Sequence, residues 1–147
     1  MSADLLFTDV VSREGTTQFL IRSSGERIAQ YFGVDCPEGG QGRFLHEVLP
    51  LPYRPTALAT FREAVAAREP VYTIADMRDR AGRIVHFERL LLPFGRDGTA
   101  VDRIIVSIEA VSPEGAFDGH HLMAATPPAF AFCAVIDTRE TIVEQFR

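Results

Sequence analysis

The fold is decided by residues 71–111, which read VYTIADMRDRAGRIVHFERLLLPFGRDGTAVDRIIVSIEAV. Three runs in this stretch, residues 71–78, 84–94 and 101–111, are rich in β-branched, aromatic and other apolar residues. The sequences DRAG and GRDG separate the three runs, and both have the composition of tight turns. The stretch therefore predicts three consecutive strands of one sheet.

Residues upstream of this stretch add two strands and the helices. Apolar, β-prone runs over 5–11 and 16–22 flank a Glu-Gly turn and predict an opening hairpin. Apolar residues at helical spacing predict a short helix over 28–32, which Gly33 ends, and a long one over 53–68. This order fits an α+β fold, with one antiparallel sheet and the helices on one of its faces.

The C-terminal residues differ in composition from the rest, so we place one domain at 1–112 and a tail at 113–147. The tail begins with the linker-like sequence SPEG and contains a Pro-Pro pair before an apolar run over 129–136. That run is compatible with a sixth strand. Asp137 and Glu140 have the spacing of a capping box, which predicts a short helix over 138–146.

Four segments carry a resemblance to a known family. They are LLFTDV (5–10), FLHEVLP (44–50), EPVY (69–72), and ERLLLP (88–93) running into GTAVDRI (98–104). The amino-acid sequences and the order of these segments resemble the PAS domain superfamily. They resemble in particular a small bacterial family of proteins with little more than one PAS domain. The resemblance implies a five-stranded sheet in spatial order 2-1-5-4-3, the long helix across one face, and a sensory, regulatory role in signal transduction.

Composition and charge argue against several classes of partner. The net charge of −5 is unlike the basic face of a protein that binds nucleic acid. No apolar run approaches the roughly 20 residues that span a bilayer. Cys36 and Cys133 lie far apart and form no C-x-x-C unit, and no signal peptide precedes them. We therefore expect a cytoplasmic protein that binds neither nucleic acid nor membranes.

Catalytic and metal-binding patterns are missing from the sequence. It contains no G-x-S-x-G, no phosphate-binding loop and no paired-histidine motif. His120 and His121 are adjacent, so their side chains point apart, and no acidic or cysteine residue follows at ligand spacing. We expect a protein that is not an enzyme, and we assign no role to this histidine pair or to the two cysteines.

Flavin and heme, two cofactors that members of this superfamily bind, are disfavoured. A flavin photosensor of the PAS type carries a reactive cysteine in an N-C-R-F-L-Q motif, and here Gly42 stands at the cysteine position. Heme-binding members take an axial histidine from the long helix, and residues 53–68 contain none. His46 precedes that helix and remains a candidate ligand-binding residue.

Arg89 is the charged residue that stands out in the strand 84–94. Alternation places it on one face with Val85, Phe87 and Leu91, and if that face meets the helices, its guanidinium enters the PAS cavity. There it could bind a carboxylate or phosphate. Alternatively, Arg89 pairs with Glu63, Asp76 or Glu109, or lies on the outer face. The other candidates for lining the cavity are Phe19, Tyr31, Phe44, Leu58, Phe61, Phe87 and Ile104.

Two functions remain open at this point. The first is a regulatory module that acts through protein association, as a homodimer or with a signalling partner, at the outer sheet face. The strands after residue 70 carry apolar residues on both faces. In a sheet with one solvent-exposed face, by contrast, apolar and polar residues alternate along each strand. The tail could instead cap this face, on its own sheet or a neighbour's. The second function is a sensor that binds a small, anionic ligand through Arg89, with His46 as a second contact.

The cofactor analysis makes a prediction about the purified protein. Because the residues that hold flavin and heme in this superfamily are missing, we expect the protein to be colourless. An absorption spectrum recorded after gel filtration checks this. A flavin band or a Soret band that co-elutes with the protein would contradict it.

Overall fold

The computed structural model describes residues 2–33, 37–98, 100–124 and 128–138. The helix predicted over 138–146 falls outside these ranges except for Thr138, and Cys36 also falls outside them. Among the described residues, no helix is long and apolar enough to cross a membrane. The elements in chain order are β1 (Leu5–Arg13), β2 (Thr16–Ser24), α1 (Glu26–Phe32), a 3-10 turn (Pro37–Gly40), α2 (Leu45–Val48), α3 (Arg54–Ala67), β3 (Val71–Arg78), β4 (Ile84–Phe94), β5 (Arg103–Val111), a second 3-10 turn (Leu122–Ala124) and β6 (Ala129–Val135).

The strands form one antiparallel sheet in the order β2-β1-β5-β4-β3-β6. The predicted α+β class and the order 2-1-5-4-3 are confirmed. The tail adds the sixth strand, which pairs with β3 from Val71↔Val135 to Asp76↔Ala129. β5 starts two residues later than predicted, because Asp102 belongs to the turn, where its N–H donates to the Phe94 carbonyl at 2.9 Å.

Alternation along β4 separates a buried inner face from a half-exposed outer face. Val85, Phe87 and Leu91 are fully buried on the inner face, whereas His86, Glu88 and Leu90 on the outer face are only partly covered. The inner face packs against the apolar side of α3, which includes Leu58 and Phe61. Each large apolar side chain buried in this way contributes about 1.5–3 kcal/mol, so this layer is the main source of stability.

The start and end of the helices follow local sequence signals. Pro55 occupies the first turn of α3, where its missing N–H leaves no helical hydrogen bond unmade. Gly33 ends α1 with a φ of 112°, a conformation that side chains rarely adopt. A Cβ at Gly33 would also lie 2.8 Å from Nδ1 of His121, so the tail packs closely against this end of the helix.

The first part of the tail lies on the helical side of the sheet. The His121 N–H donates to the Gln30 carbonyl in α1 at 3.0 Å. Leu122 and Met123 follow, and both are buried in the same core as the inner sheet face. Although the composition of residues 113–124 is that of a linker, this segment forms part of the packed domain before the chain reaches β6.

Asp79 connects the β3–β4 turn to the tail. Its Oδ1 accepts the N–H groups of Ala81 and Arg83, at 2.9 and 2.8 Å. Its Oδ2 accepts the Arg83 Nε–H and the backbone N–H of Asp118, at 2.8 and 3.0 Å. The hydrogen bond from Asp118 is the largest cause that holds the pKa of Asp79 below its ordinary value of 3.8, and the Arg83 bonds add to it.

This arrangement predicts a loss of stability in acid. A carboxyl group whose folded-state pKa lies below its ordinary value of 3.8 stabilises the fold at pH values above 3.8. This stabilisation is lost as the pH falls through the folded-state pKa. Asp79→Asn should therefore unfold more easily at neutral pH and lose less stability between pH 5 and pH 2 than the natural protein. Urea unfolding across this pH range measures it, with the exposed Glu63→Gln as control. If the free energy of unfolding fell by the same amount between pH 5 and pH 2 in Asp79→Asn and in the natural protein, the prediction would be contradicted.

Candidate functional site

Arg89 lies in the interior between β4 and α3. Its side chain is only 3% exposed, so the outer-face placement that the sequence left open is wrong. Its Nε donates to the Thr73 hydroxyl at 3.1 Å, and its Nη2 donates to the Thr60 hydroxyl at 2.9 Å. Thr73 stands directly opposite Arg89 on β3, and Thr60 projects from α3. One residue from each neighbouring element thus holds the guanidinium in place.

The acidic residues considered as partners of Arg89 lie elsewhere. Asp76 is on the opposite face of the sheet, where its Oδ1 is 2.7 Å from His86 Nδ1. Glu109 is exposed on the outer face of β5, and Glu63 is exposed on α3. The described contacts of Arg89 include the two threonine hydroxyls and the ring described next.

Tyr53 completes this interior site. Its ring centroid is 5.5 Å from the Arg89 guanidinium carbon, within the range of a cation–π contact. Tyr53 is 1% exposed, and its hydroxyl has no hydrogen-bond partner among the described residues. Burial raises the pKa of this hydroxyl, and the positive charge of Arg89 acts in the opposite direction. A buried hydroxyl without a partner is rare, so Tyr53 marks this site as unusual.

A small cavity borders Arg89 and Tyr53. Its volume is about 10 Å³, close to the minimum for one water molecule and far below the roughly 300 Å³ of a small organic-ligand site. Met123 from the tail forms part of its wall, so the tail helps to close it. The lining residues are Leu6, Phe32, Leu45, Leu49, Tyr53, Ala57, Phe61, Arg89, Val106, Ile108 and Met123.

The predicted cavity residues separate into three groups. Phe61 lines the cavity with Arg89, while Phe19, Tyr31, Leu58, Phe87 and Ile104 are buried in the surrounding core. Phe44 and His46 are only half buried, with their rings stacked at 5.8 Å, and the Arg13 guanidinium lies 4.9 Å from the Phe44 ring. The structure therefore does not bring His46 to Arg89.

Sequence reasoning missed several residues of this site, among them Thr60, Thr73, Tyr53 and Met123. Tyr53 directly precedes α3, and an aromatic residue next to the first helical turn is a signal that could have indicated it. Met123 lies in a segment without periodicity, so no sequence signal was available. Within the described ranges, no group of three or more His, Cys, Asp or Glu residues is arranged to hold a metal ion.

The outer face of the sheet is the second candidate site. The cross-strand register aligns Phe7, Ile105 and Leu92 in one row, and Leu5, Ser107 and Leu90 in the next. Further out, Phe94 and Phe132 are 48% and 49% exposed. β6 extends the edge of the sheet, and the helices lie on the inner face. No element among the described residues lies over the outer apolar rows.

Charged residues border these rows at both ends. At one end, Asp9 is shared by Arg22 and Arg103, with N–O distances of 3.1 and 3.5 Å. At the other end, Glu88 and Glu109 stand directly opposite each other on β4 and β5. The Tyr72 hydroxyl donates to Glu88 at 2.6 Å. Like charges in this position are destabilising unless a cation lies between them.

Comparison with known proteins gives one match. The model of a family described as the PAS fold matches residues 9–114, which is well over half of the chain. No curated protein and no solved structure matches the chain. The matched range runs from β1 through β5 and ends at the beginning of the tail.

The Tyr53 hydroxyl gives a test of the interior site. Tyr53→Phe removes a buried hydroxyl that has no partner among residues 2–33, 37–98, 100–124 and 128–138, so we expect it to raise the free energy of unfolding by about 1 kcal/mol. Tyr72→Phe is the matched control and should lower it, because that hydroxyl makes a hydrogen bond. Urea unfolding measures both variants. A destabilised Tyr53→Phe would contradict the prediction, because it would mean that the hydroxyl binds another group.

Proposed function

Because the chain belongs to the PAS fold family, we propose that it is a regulatory module that acts through protein association at the outer face of its sheet. Domains of this family are sensory and regulatory modules, and this chain is one of them. In this proposal the domain does no chemistry of its own. Its output is a change in association.

The observation that carries the proposal is the pair of apolar rows on the outer face. Three adjacent strands, β1, β5 and β4, carry five large apolar side chains on this face: Leu5, Phe7, Ile105, Leu90 and Leu92. Sheets with one wet face normally alternate apolar and polar residues, and these strands carry apolar residues on both faces. A continuous apolar surface of this kind usually marks an interface.

The tail leaves this face available in the described part of the chain. It passes over α1, contributes Met123 to the core and then pairs with the edge of β3. Each of these contacts lies on the inner face or at the edge of the sheet. A protein partner is therefore a better candidate than the described tail to cover the outer rows.

A sensor of small anionic ligands is the second candidate function. The observation that favours it is the Tyr53 hydroxyl, which lies beside the Arg89 guanidinium and has no hydrogen-bond partner in the part of the chain that the structure describes. A carboxylate could accept hydrogen bonds from both groups. A cavity of about 10 Å³ would have to open first, for example by displacement of Met123. Mass spectrometry of small molecules extracted from the purified protein tests this candidate.

The association proposal predicts the effect of a charge in the centre of the outer face. Leu92→Arg should abolish concentration-dependent self-association, because it places an unpaired guanidinium among apolar side chains. Leu51→Arg is the matched control, since Leu51 is 71% exposed in the turn before α3, away from the sheet. Sedimentation velocity over a wide range of protein concentration measures both variants.

Two results would contradict the proposal. One is a natural protein that remains monomeric at every concentration, which would rule out association between copies of this chain through the outer face. The other is self-association that Leu92→Arg leaves intact and Leu51→Arg removes, which would place the interface on the helical side.

A further inference from the structure

We propose that β6 takes up an extended, uncharged segment of a partner protein, which pairs with its open edge as a seventh strand. This inference goes beyond the proposed function, because it uses the edge of the sheet and not its outer face. The segment lies along residues 132–136 and has a large apolar side chain at its centre. Main-chain hydrogen bonds hold such a segment, and the central side chain selects it.

The chain covers one edge of its sheet and leaves the other open. Residues 42–44 run along the β2 edge, where the Ile21 N–H donates to the Arg43 carbonyl at 2.9 Å. The Gly42 N–H in turn donates to the Ile21 carbonyl at 2.8 Å. At the other edge, no described residue pairs with the free side of β6. An edge strand in this state is a template for another strand.

The sequence of β6 lacks the residues that usually protect an edge. It reads AFAFCAV and contains no charged residue and no proline. Phe132 and Val135 are 49% and 43% exposed, and Cys133 is exposed as well. The register with β3 skips one residue at Ala131, so the regular part of the edge begins at Phe132. An uncharged, apolar edge of this kind favours the addition of a strand.

The backbone groups on the open side belong to Cys133 and Val135. The Ile136 N–H donates to the Pro70 carbonyl at 2.8 Å, so the backbone of Ile136 faces β3. Successive residues of an antiparallel ladder direct their N–H and C=O groups to opposite sides. Ala134 therefore also faces β3, whereas Cys133 and Val135 face outwards. Within the described ranges no group bonds to these outward N–H and C=O groups, and an added strand would satisfy them.

A small side chain stands at the centre of this edge. Alternation places Phe132, Ala134 and Ile136 on the outer face of the sheet. Ala134 is paired with Tyr72 on β3, and the ring centroids of Tyr72 and Phe132 are 6.0 Å apart. We call the space over Ala134, bordered by these two rings and Ile136, the Ala134 notch. A residue paired with Ala134 would place its side chain in this notch, which suits a large apolar side chain.

The Ala134 notch favours a partner segment over a second copy of β6. Two β6 strands that pair through the outward groups of Cys133 and Val135 place Ala134 opposite Ala134, so both notches stay unfilled. A segment with phenylalanine, leucine or isoleucine at that position fills the notch and covers Phe132. Charged residues do not suit the centre of the segment, because β6 supplies no charge to offset their desolvation.

Amide hydrogen exchange on isotope-labelled protein tests the open edge directly. The probe is the synthetic peptide KTVTFTVTK, which reads the same in both directions and places phenylalanine opposite Ala134. In the free protein the amides of Cys133 and Val135 should exchange fast, whereas the amide of Ala134, which faces β3, should be protected. A saturating amount of the peptide should slow exchange at Cys133 and Val135 on the order of tenfold or more.

A change of peptide preference tests the Ala134 notch. The natural protein should bind KTVTFTVTK on the order of tenfold more tightly than KTVTATVTK, because the phenylalanine buries more apolar surface. Ala134→Leu fills the notch and should reverse this preference, since the phenylalanine no longer fits. Ala116→Leu is the matched control, because Ala116 is exposed between β5 and the second 3-10 turn. Isothermal titration calorimetry measures the affinities, and circular dichroism melting verifies that each variant is folded.

The outcomes separate this inference from the proposed function. Peptide-dependent protection of Cys133 and Val135, together with reversed preference in Ala134→Leu, supports it. Protection of these amides in the free protein overturns it: at every concentration, the chain's own residues cover the edge, and only at high concentration, a second copy does. A peptide that protects neither amide, or an unchanged preference in Ala134→Leu, also overturns it. Leu92→Arg should bind the peptide like the natural protein, and loss of binding would place the peptide on the outer face instead.

Discussion

The rest of the structure depends on one constraint, the presence of apolar side chains on both faces of β4 and β5. Each face of such a sheet must be covered. On the inner face, α3 and the buried part of the tail meet Val85, Phe87 and Leu91. On the outer face, the rows centred on Ile105 are half exposed in the described chain. The chain itself covers the inner face of its sheet, whereas its described residues leave the outer face only partly covered.

Arg89 places a positive charge within the largely apolar inner face. Its guanidinium is held by hydroxyls from β3 and α3 and lies over the ring of Tyr53. Burying a cation is costly unless it is well hydrogen-bonded, so these contacts fix where α3 can lie on the sheet. The tail reaches the same region through Met123. A change at this interior site would therefore act on the position of α3 and of the tail together.

Most of the sheet could be predicted from the sequence, because alternation and turn residues are local signals. The bounds of β3 and β4 agree with the predicted runs, and the order of five strands follows from the family resemblance. The position of β6 beside β3 depends on long-range pairing, which no local pattern encodes. The interior site was predicted only in part for the same reason. Arg89 and Phe61 follow from periodicity, whereas Met123 arrives from an aperiodic tail and His46 points elsewhere.

The central claim is that a second protein surface covers the outer face, and amide NMR on dilution tests it most directly. Spectra of isotope-labelled protein, recorded at high and low concentration, report which residues change environment when molecules associate. We expect the changing resonances to come from Phe7, Leu90, Leu92, Ile105 and their neighbours on β1, β4 and β5, while those of α1 and α3 stay constant. Changes confined to the helices or to β6, or spectra that do not depend on concentration, would contradict the account.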